Sequence, residues 1–336
     1  MSTFTAYRIF EENGKSTGRF VQLTLDDLDA GEVVIKVHYS GINYKDALAA
    51  TGAGKVIKRF PCVGGVDASG IVESSQDARF KAGDAVIVTG YGLGIDHDGG
   101  YAEYMRVPAD WVVPLPQAMS LSEAMVLGTA GFTAALAIHR MEQNELRPEN
   151  GKVIVTGATG GVSSMAIQML SQQGYHVVAL TGKDSEHDYL KMLGATEVLS
   201  RKELQMGKRP LEKALWAGAV DSVGGETLSW LTRTMQQRGV IACFGNAGGL
   251  ELHTSLIPFI LRGVRLIGLD AASTVMSLRQ QFWPRMAAPT GNPGSLRPRL
   301  LDKIANTIEF AQLPEACEKM IAAQSRGRYL IRIKAE

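Results

Sequence analysis

The sequence predicts an α/β protein in which a β-rich domain precedes a doubly wound parallel sheet. Three observations carry this. Short alternating strands cut by glycine fill the chain up to about residue 126, apolar strands and helices alternate from Lys152 onward, and a glycine-rich turn follows the first of those apolar strands. A length of 336 residues suits two domains, and a 45% hydrophobic composition is enough to fill two cores.

In the first region the strand candidates are EVVIKVHYS (32–40), ASGIVESS (68–75), DAVIVTGYG (84–92), YAEYMRVP (101–108) and WVVPLP (111–116), of a length and spacing that suit a small barrel or sandwich-like domain. The period then changes. LSEAMVLGTAGFTAALAIHRM reads as helices with apolar residues three and four apart, capped by Ser120 or Ser122. Beyond it we expect strands KVIVT (152–156), HVVAL (176–180), TEVLS (196–200), AVDSV (219–223), VIACF (240–244) and VRLIGL (264–269), with helices near 161–173, 185–193, 210–216 and 226–236. Apolar strands joined by helices imply a parallel sheet covered on both faces. PRMAAPTGNPGSLRPRL (284–300) reads as a loop or domain crossover, followed by a helix, a turn at Gly327 and a last strand YLIRI.

Composition excludes several partners. Lys plus Arg number 35 and Asp plus Glu 34, and no long block of like charge appears, so neither nucleic acid nor an anionic membrane surface is expected to bind. The start MSTFTAYRIFEENGK lacks the apolar core of a signal peptide, and no run is expected to approach the roughly 20 apolar residues that span a bilayer, which predicts a soluble cytoplasmic protein. Cys62, Cys243 and Cys317 are far apart and form no CxxC pair, as expected of buried free thiols rather than a zinc knot or disulfide framework.

The turn KVIVTGATGGVSSMAIQML (152–170) places Gly157, Gly160 and Ser163 between a first parallel strand and its helix, the position of a dinucleotide-binding turn. Gly157 permits the tight turn, while Gly160 and Gly161 let backbone amides approach a phosphate at the positive end of the helix. Ser163 stands where a third glycine is usual; its hydroxyl is expected to bond back to the helix carbonyls and to displace the helix slightly. At the end of the second strand come Thr181, Gly182 and Lys183, where an NAD-binding protein would offer a carboxylate to the ribose. Thr181 supplies a hydroxyl and Lys183 a charge, and Arg201, after the third strand, shares the crevice. NADPH is therefore expected over NADH. Asp184, next in the chain, leaves open an inward turn of its carboxylate.

The stretches SGINYKDALAATGAGKVIKRFPCVGGVDASGIV (40–72), GGYAEYMRVP (99–108), GTAGFTAALAI (128–138), VTGATGGVSS and RGRYLIRI together resemble the medium-chain dehydrogenase/reductase superfamily, in its zinc-free quinone-oxidoreductase-like branch. NYKDALAATGxGKxIxxFP and PFILRGVRLIGLD (258–270) are most similar to the NADPH-dependent acrylyl-CoA reductases, which reduce acrylyl-CoA to propionyl-CoA. The resemblance implies a GroES-like catalytic domain over 1–126, completed by 297–336, and a Rossmann domain over 127–296. It also implies that no metal is held, because Asn43 stands where zinc-bearing relatives have a cysteine, and Val66 and Asp67 where they have a His-Glu pair.

An enoyl thioester that accepts hydride at Cβ gathers negative charge on its oxygen and Cα, so an enzyme must donate hydrogen bonds there and admit a proton. Asn43, Tyr44 and Asp46 follow a strand in the segment that faces the cofactor in relatives. We expect donor and positioning roles for Tyr44 and Asn43, with Asp46 orienting a neighbour or a water; Asp46 as a plain helix N-terminal carboxylate and Tyr44 as a lining residue stay open. The resemblance further puts Thr159, Gly160, Gly161 and Val162 on the phosphates, Tyr44 at the nicotinamide end, Asn246 near the nicotinamide ribose, and Arg328 near cofactor or substrate. A homodimer paired along the VRLIGLD edge is expected by the same analogy. Two other functions remain: a quinone or other enone reductase, and a catalytically silent NADPH-binding protein.

Overall fold

The structure, a computed structural model, describes residues 3–292 and 294–334, and the strand and partner counts here are of those residues. Two units emerge: Met1–Ala130 with Ala271–Ala288 and Leu301–Glu336, and Gly131–Asp270 with Pro289–Leu300.

In chain order the elements begin with β1 (Phe4–Glu12), β2 (Lys15–Leu23), β3 (Val33–Ile42), α1 (Tyr44–Thr51), β4 (Cys62–Val63), β5 (Asp67–Ser75), β6 (Ala85–Thr89), β7 (Tyr104–Val107), β8 (Val112–Pro114) and α2 (Leu121–Gln143). They continue with β9 (Lys152–Thr156), α3 (Gly161–Gln172), β10 (His176–Thr181), α4 (His187–Met192), β11 (Glu197–Ser200), β12 (Trp216–Asp221), α5 (Gly225–Thr234), β13 (Met235–Cys243), α6 (Ile257–Arg262) and β14 (Arg265–Gly268). The chain closes with α7 (Met276–Ala287), α8 (Leu301–Ile304), β15 (Ala305–Glu309), α9 (Leu313–Ile321) and β16 (Arg328–Arg332).

The first unit holds two sheets, one ordered β2-β1-β4 and one ordered β15-β16-β3-β5-β6-β8 with β7 also on β3. Val33, Ile35 and Val37 of β3 are fully buried, and the residues between them are partly exposed, the alternation of a strand with one face on a core. The hairpin β1–β2 was not among the expected strands. Its signal was Asn13-Gly14, both with positive φ (52° and 73°), the backbone of a tight two-residue hairpin turn. Polar, largely exposed β2 lacks the apolar run by which strands are recognised.

The second unit is a six-stranded sheet ordered β11-β10-β9-β12-β13-β14, every pairing parallel. Chain order reverses between β9 and β12, the topological switch point of a Rossmann sheet. Ile154, Val178, Ala219 and Ile241 are fully buried, so the centre of the sheet is apolar and covered on both faces.

Three expectations need correction. No helix forms near 210–216: Glu212 N–H bonds to Arg233 O (3.0 Å) and Leu215 N–H to Thr234 O (2.8 Å), which satisfies the terminal carbonyls of α5 and draws the segment out straight into β12. Residues 284–287 of the expected loop belong to α7, with Pro284 in its last turn. Finally, α2 is by length and composition apolar enough to cross a membrane, although 83% of its most apolar window is buried within the protein. A helix buried on all sides is apolar all round for that reason. Gly128 interrupts it with a non-helical backbone (φ 46°, ψ −148°).

Candidate active site

Each unit carries a polar constellation built around the expected site residues. In the second unit the glycine turn leaves β9 at Thr156. Gly157 has φ 54°, and a Cβ there would run into Ser222 Oγ, so both backbone and space demand glycine. Gly160, extended at φ −75° and ψ 162°, caps α3. The first helical bond runs from Ser164 N–H to Gly160 O (2.8 Å), so the N–H groups before it, of Gly161, Val162 and Ser163, are those a helix leaves for an anion.

Ser163 is buried, and its hydroxyl donates to Thr156 O of β9 (2.8 Å), not to a helix carbonyl as expected. It stitches helix to strand at the place where glycine usually lets them close up. Thr156 Oγ1 donates to Asp221 Oδ1 (2.6 Å), Asp221 Oδ2 accepts Gly224 N–H (2.9 Å), and Ser222 Oγ donates to Thr156 O (2.9 Å). Asp221 is fully buried and burial raises its pKa. Asp221 is not among the residues expected at the site. Its signal was a lone carboxylate inside the apolar run AVDSV.

At the ends of β10 and β11, Arg201 N–H bonds to Thr181 O (2.7 Å) and Lys183 N–H to Thr181 Oγ1 (3.0 Å). A Cβ on Gly182 would lie 3.1 Å from Arg201 Nη2, so the guanidinium runs along the Gly182 backbone. Among the described residues the Arg201 side chain makes no hydrogen bond or ion pair. Burial pushes the Lys183 ammonium below its usual range. Asp184 turns toward Ser200 Oγ (2.7 Å) and Lys202 Nζ (2.9 Å). Asn246 is exposed in the segment after β13, with its carbonyl accepting Gly249 N–H (3.0 Å). The glycine turn, Thr181–Lys183, Arg201 and Asn246 thus all follow the carboxyl ends of parallel strands, on one end of the sheet.

The first unit's constellation centres on Asp67, fully buried at the start of β5. Its carboxylate accepts Thr129 N–H (3.0 Å), Thr129 Oγ1 (2.5 Å), Asn43 Nδ2 (2.8 Å) and Arg328 Nη2. Arg328, 2% exposed, also donates from Nη1 to Ile42 O and Asn43 Oδ1, each at 2.8 Å. Gly128 makes room for the pair: a Cβ there would sit 2.5 Å from Arg328 Nη2 and 2.7 Å from Asp67 Oδ2.

Asp46 stands at the third position of α1, 3% exposed, and its Oδ2 accepts both Asn43 N–H (2.8 Å) and Asn43 Nδ2 (3.0 Å) while Oδ1 accepts Val66 N–H (3.1 Å). Burial and then the Asp67 charge raise its pKa to about 6, against the Asn43 donors that lower it. Both amide hydrogens of Asn43 and its oxygen are therefore committed inward. Tyr44, the first residue of α1, is 42% exposed, and its hydroxyl has no partner among the described residues. No group of three or more His, Cys, Asp or Glu among the described residues is placed to hold a metal ion.

Two families match this chain. One described as "Alcohol dehydrogenase GroES-like domain" covers residues 29–117, and one described as "Zinc-binding dehydrogenase" covers 161–288. "Putative quinone oxidoreductase YhfP" of Bacillus subtilis is 46% identical over 99% of this chain and 100% of its own length. "Probable acrylyl-CoA reductase AcuI" of Escherichia coli is 43% identical over 96% of this chain and 98% of its own. The yhdH oxidoreductase of Salmonella enterica, solved in complex with NADP, matches with a TM-score of 0.93 at 44% identity, covering 98% of this chain and 100% of that one. Bacillus subtilis protein yhfP, solved with NAD bound, matches at 0.94 and 44%, covering 99% and 100%. A parallel sheet of this order with a glycine turn, in a chain that opens with a GroES-like unit, defines a two-unit dehydrogenase or reductase. The chain belongs to the medium-chain dehydrogenase/reductase family.

Ser163→Ala removes the bond from α3 to β9 and is expected to cost about 1 kcal/mol in urea unfolding; unchanged stability would show that the bond contributes nothing. Asp46 supplies a pH test. An acid whose folded pKa is raised adds stability below its unfolded value of 3.8, and that contribution is lost as pH rises through about 6. The stability margin of the wild type over Asp46→Asn should therefore shrink across that window and level off above it. A margin that stays constant, measured by urea unfolding at each pH, contradicts the raised pKa.

Proposed function

We propose that the protein is an NADPH-dependent reductase of a short enoyl-CoA, converting acrylyl-CoA to propionyl-CoA in the cytoplasm. The observation that carries the cofactor half is an arginine just after β11 whose side chain has no partner among the described residues, on the same end of the sheet as a helix tip that presents free amides, with the carboxylate of Asp184 turned elsewhere. The substrate half is supported by 43% identity, over 96% of the chain, to a probable acrylyl-CoA reductase.

NADPH, when bound, supplies the hydride. The amides of Gly161 and Val162, with Thr159, hold the diphosphate on the turn that Gly157 makes possible; Gly160, whose N–H donates to Gly157 O (2.9 Å), lets the phosphate approach the backbone. Thr181, Gly182, Lys183 and Arg201 receive the 2′-phosphate, Arg201 through a planar fork that suits phosphate oxygens. Asn246 serves the nicotinamide ribose. Hydride adds to Cβ of the thioester, charge develops on its carbonyl oxygen, and a proton completes Cα. The Tyr44 hydroxyl is the donor for that oxygen, being the exposed member of its cluster, and it also lines the nicotinamide end. Asn43 and Asp46 act by positioning, since their polar atoms face each other and Asp67. Arg328 likewise serves through Asn43 rather than by touching the cofactor.

The quinone or enone reductase reading is favoured by one observation, the name of the 46% identical Bacillus subtilis relative. We further propose a homodimer. Among the described residues β14 has β13 as its neighbour and no strand on its other side, and Leu256, Ile260 and Leu261, shortly before it in the chain, are 74%, 68% and 59% exposed.

Loss of NADPH absorbance with acrylyl-CoA is the expected outcome; turnover with a quinone alone would select the second reading, and turnover with neither a silent binding protein. Tyr44→Phe should lower kcat with acrylyl-CoA by about a hundredfold or more, the scale of one lost oxyanion donor. Unchanged kcat would remove Tyr44 from the donor role.

A further inference from the structure

Asp184 is the acidic residue next in the chain to the proposed 2′-phosphate residues Thr181–Lys183, and the inference drawn from what holds it rests on the NADPH reading above. A carboxylate after the second strand of such a sheet accepts ribose hydroxyls in NAD-binding proteins and repels a 2′-phosphate. Asp184 stands two residues past Gly182, close enough in sequence to take either part. Each of its oxygens is engaged: Oδ1 accepts Ser200 Oγ at 2.7 Å and Oδ2 accepts Lys202 Nζ at 2.9 Å.

The strand end makes this arrangement. Ser200 is the last residue of β11 and pairs with Thr181, and Arg201 N–H bonds to Thr181 O at 2.7 Å, which fixes the register where β11 ends. Beyond Ser200 the chain turns, with Glu203 N–H bonding to Ser200 O at 3.3 Å. Ser200 and Lys202 accordingly reach Asp184, while Arg201 between them lies along Gly182. Three consecutive residues thus point one cation at the backbone of the second strand's end and use the two flanking groups to occupy the carboxylate. The Lys202 ammonium, and then the Ser200 hydroxyl, hold the Asp184 carboxyl below the usual carboxylate range, so it stays charged and paired.

We propose that Ser200 and Lys202 are specificity-determining residues: they keep Asp184 off the adenosine ribose and offset its charge, so that Arg201 meets a 2′-phosphate without a competing carboxylate. The Asp184 and Lys202 side chains are 46% and 66% exposed, and an ion pair so open to water adds little to stability. Its removal is readable in nucleotide choice without unfolding the protein.

The test is isothermal titration of the full chain with NADPH and with NADH. In Ser200→Ala/Lys202→Ala, Kd for NADH should fall and Kd for NADPH rise, changing their ratio about three- to tenfold, the scale of exposed charge-assisted contacts. Adding Asp184→Asn to that variant should abolish the gain in NADH affinity. A weaker NADPH complex with NADH binding unchanged would mean that Lys202 only adds charge to the phosphate site, and would overturn the proposal. So would a gain in NADH affinity that survives Asp184→Asn. Arg201→Ala separates the two layers. If it leaves the NADPH to NADH ratio as in the wild type, the cofactor reading itself fails; if it lowers the ratio while the double variant leaves NADH affinity unmoved, the clamp alone fails.

Discussion

The polar cluster of the first unit depends on keeping the Asp67 carboxylate charged without water. Desolvating a carboxylate costs several kcal/mol, and a buried partner offsets this only when the remaining lone pairs are also met. Asp67 meets the condition with donors from three other stretches of chain, at Asn43, Thr129 and Arg328. Because Arg328 also holds Ile42 O and Asn43 Oδ1, the same guanidinium ties β16 to the end of β3 and sets the residue that opens α1. Geometry, more than net stability, is what such a pair provides, since well-packed apolar residues would often serve stability as well. The orientation of Tyr44 at the head of α1 is what that geometry delivers.

The second unit solves the complementary problem. A dinucleotide brings negative charge, and the turn after β9 offers amides rather than side chains to receive it, which costs no rotamer entropy. The tolerance of Ser163 follows from the local bonding. Its hydroxyl satisfies the Thr156 carbonyl, and Thr156 Oγ1 in turn holds Asp221 at the end of β12, so the helix is tied to the strands on both sides of the switch point. A third glycine would bring helix and strand closer but would leave that bond unmade.

The parallel sheet was legible because strands buried on both faces must be apolar throughout, and helices long enough to cross back are periodic. What escaped were elements whose reason lies elsewhere in the chain. Residues 212 and 215 are extended because their N–H groups bond to the end of α5, and no local propensity announces that. β2 is polar because it lies on the surface, though Asn13-Gly14 did mark its turn. The same holds for the candidate site. The residue types at 43, 44, 46, 181–183 and 201 suggested their chemistry, and strand ends on one side of a parallel sheet explain why Arg201 reaches Gly182. The bond between Asp67 and Arg328 spans 261 residues, and neither its existence nor its inward pull on Asn43 could be read from spacing.

Satisfaction of polar groups sorts these residues by role. A side chain whose donors and acceptors are all engaged by the protein cannot also engage a ligand without breaking a bond, and in a buried setting that loss is large. Asn43 and Asp67 are in that position, so their influence on chemistry has to pass through the placement of something else; Arg328 commits Nη1 and Nη2 to the same cluster, while its buried Nε has no partner among the described residues. Tyr44 and Arg201 are in the opposite one: each is exposed, lacks a protein partner among the described residues, and is anchored by a backbone held in register, at the head of α1 and beside β10 respectively. Folding has already ordered their backbone, so a ligand has only their side-chain rotamers left to fix. The contrast between committed and uncommitted donors, more than residue identity, separates the groups that hold the scaffold from those available to substrate and cofactor.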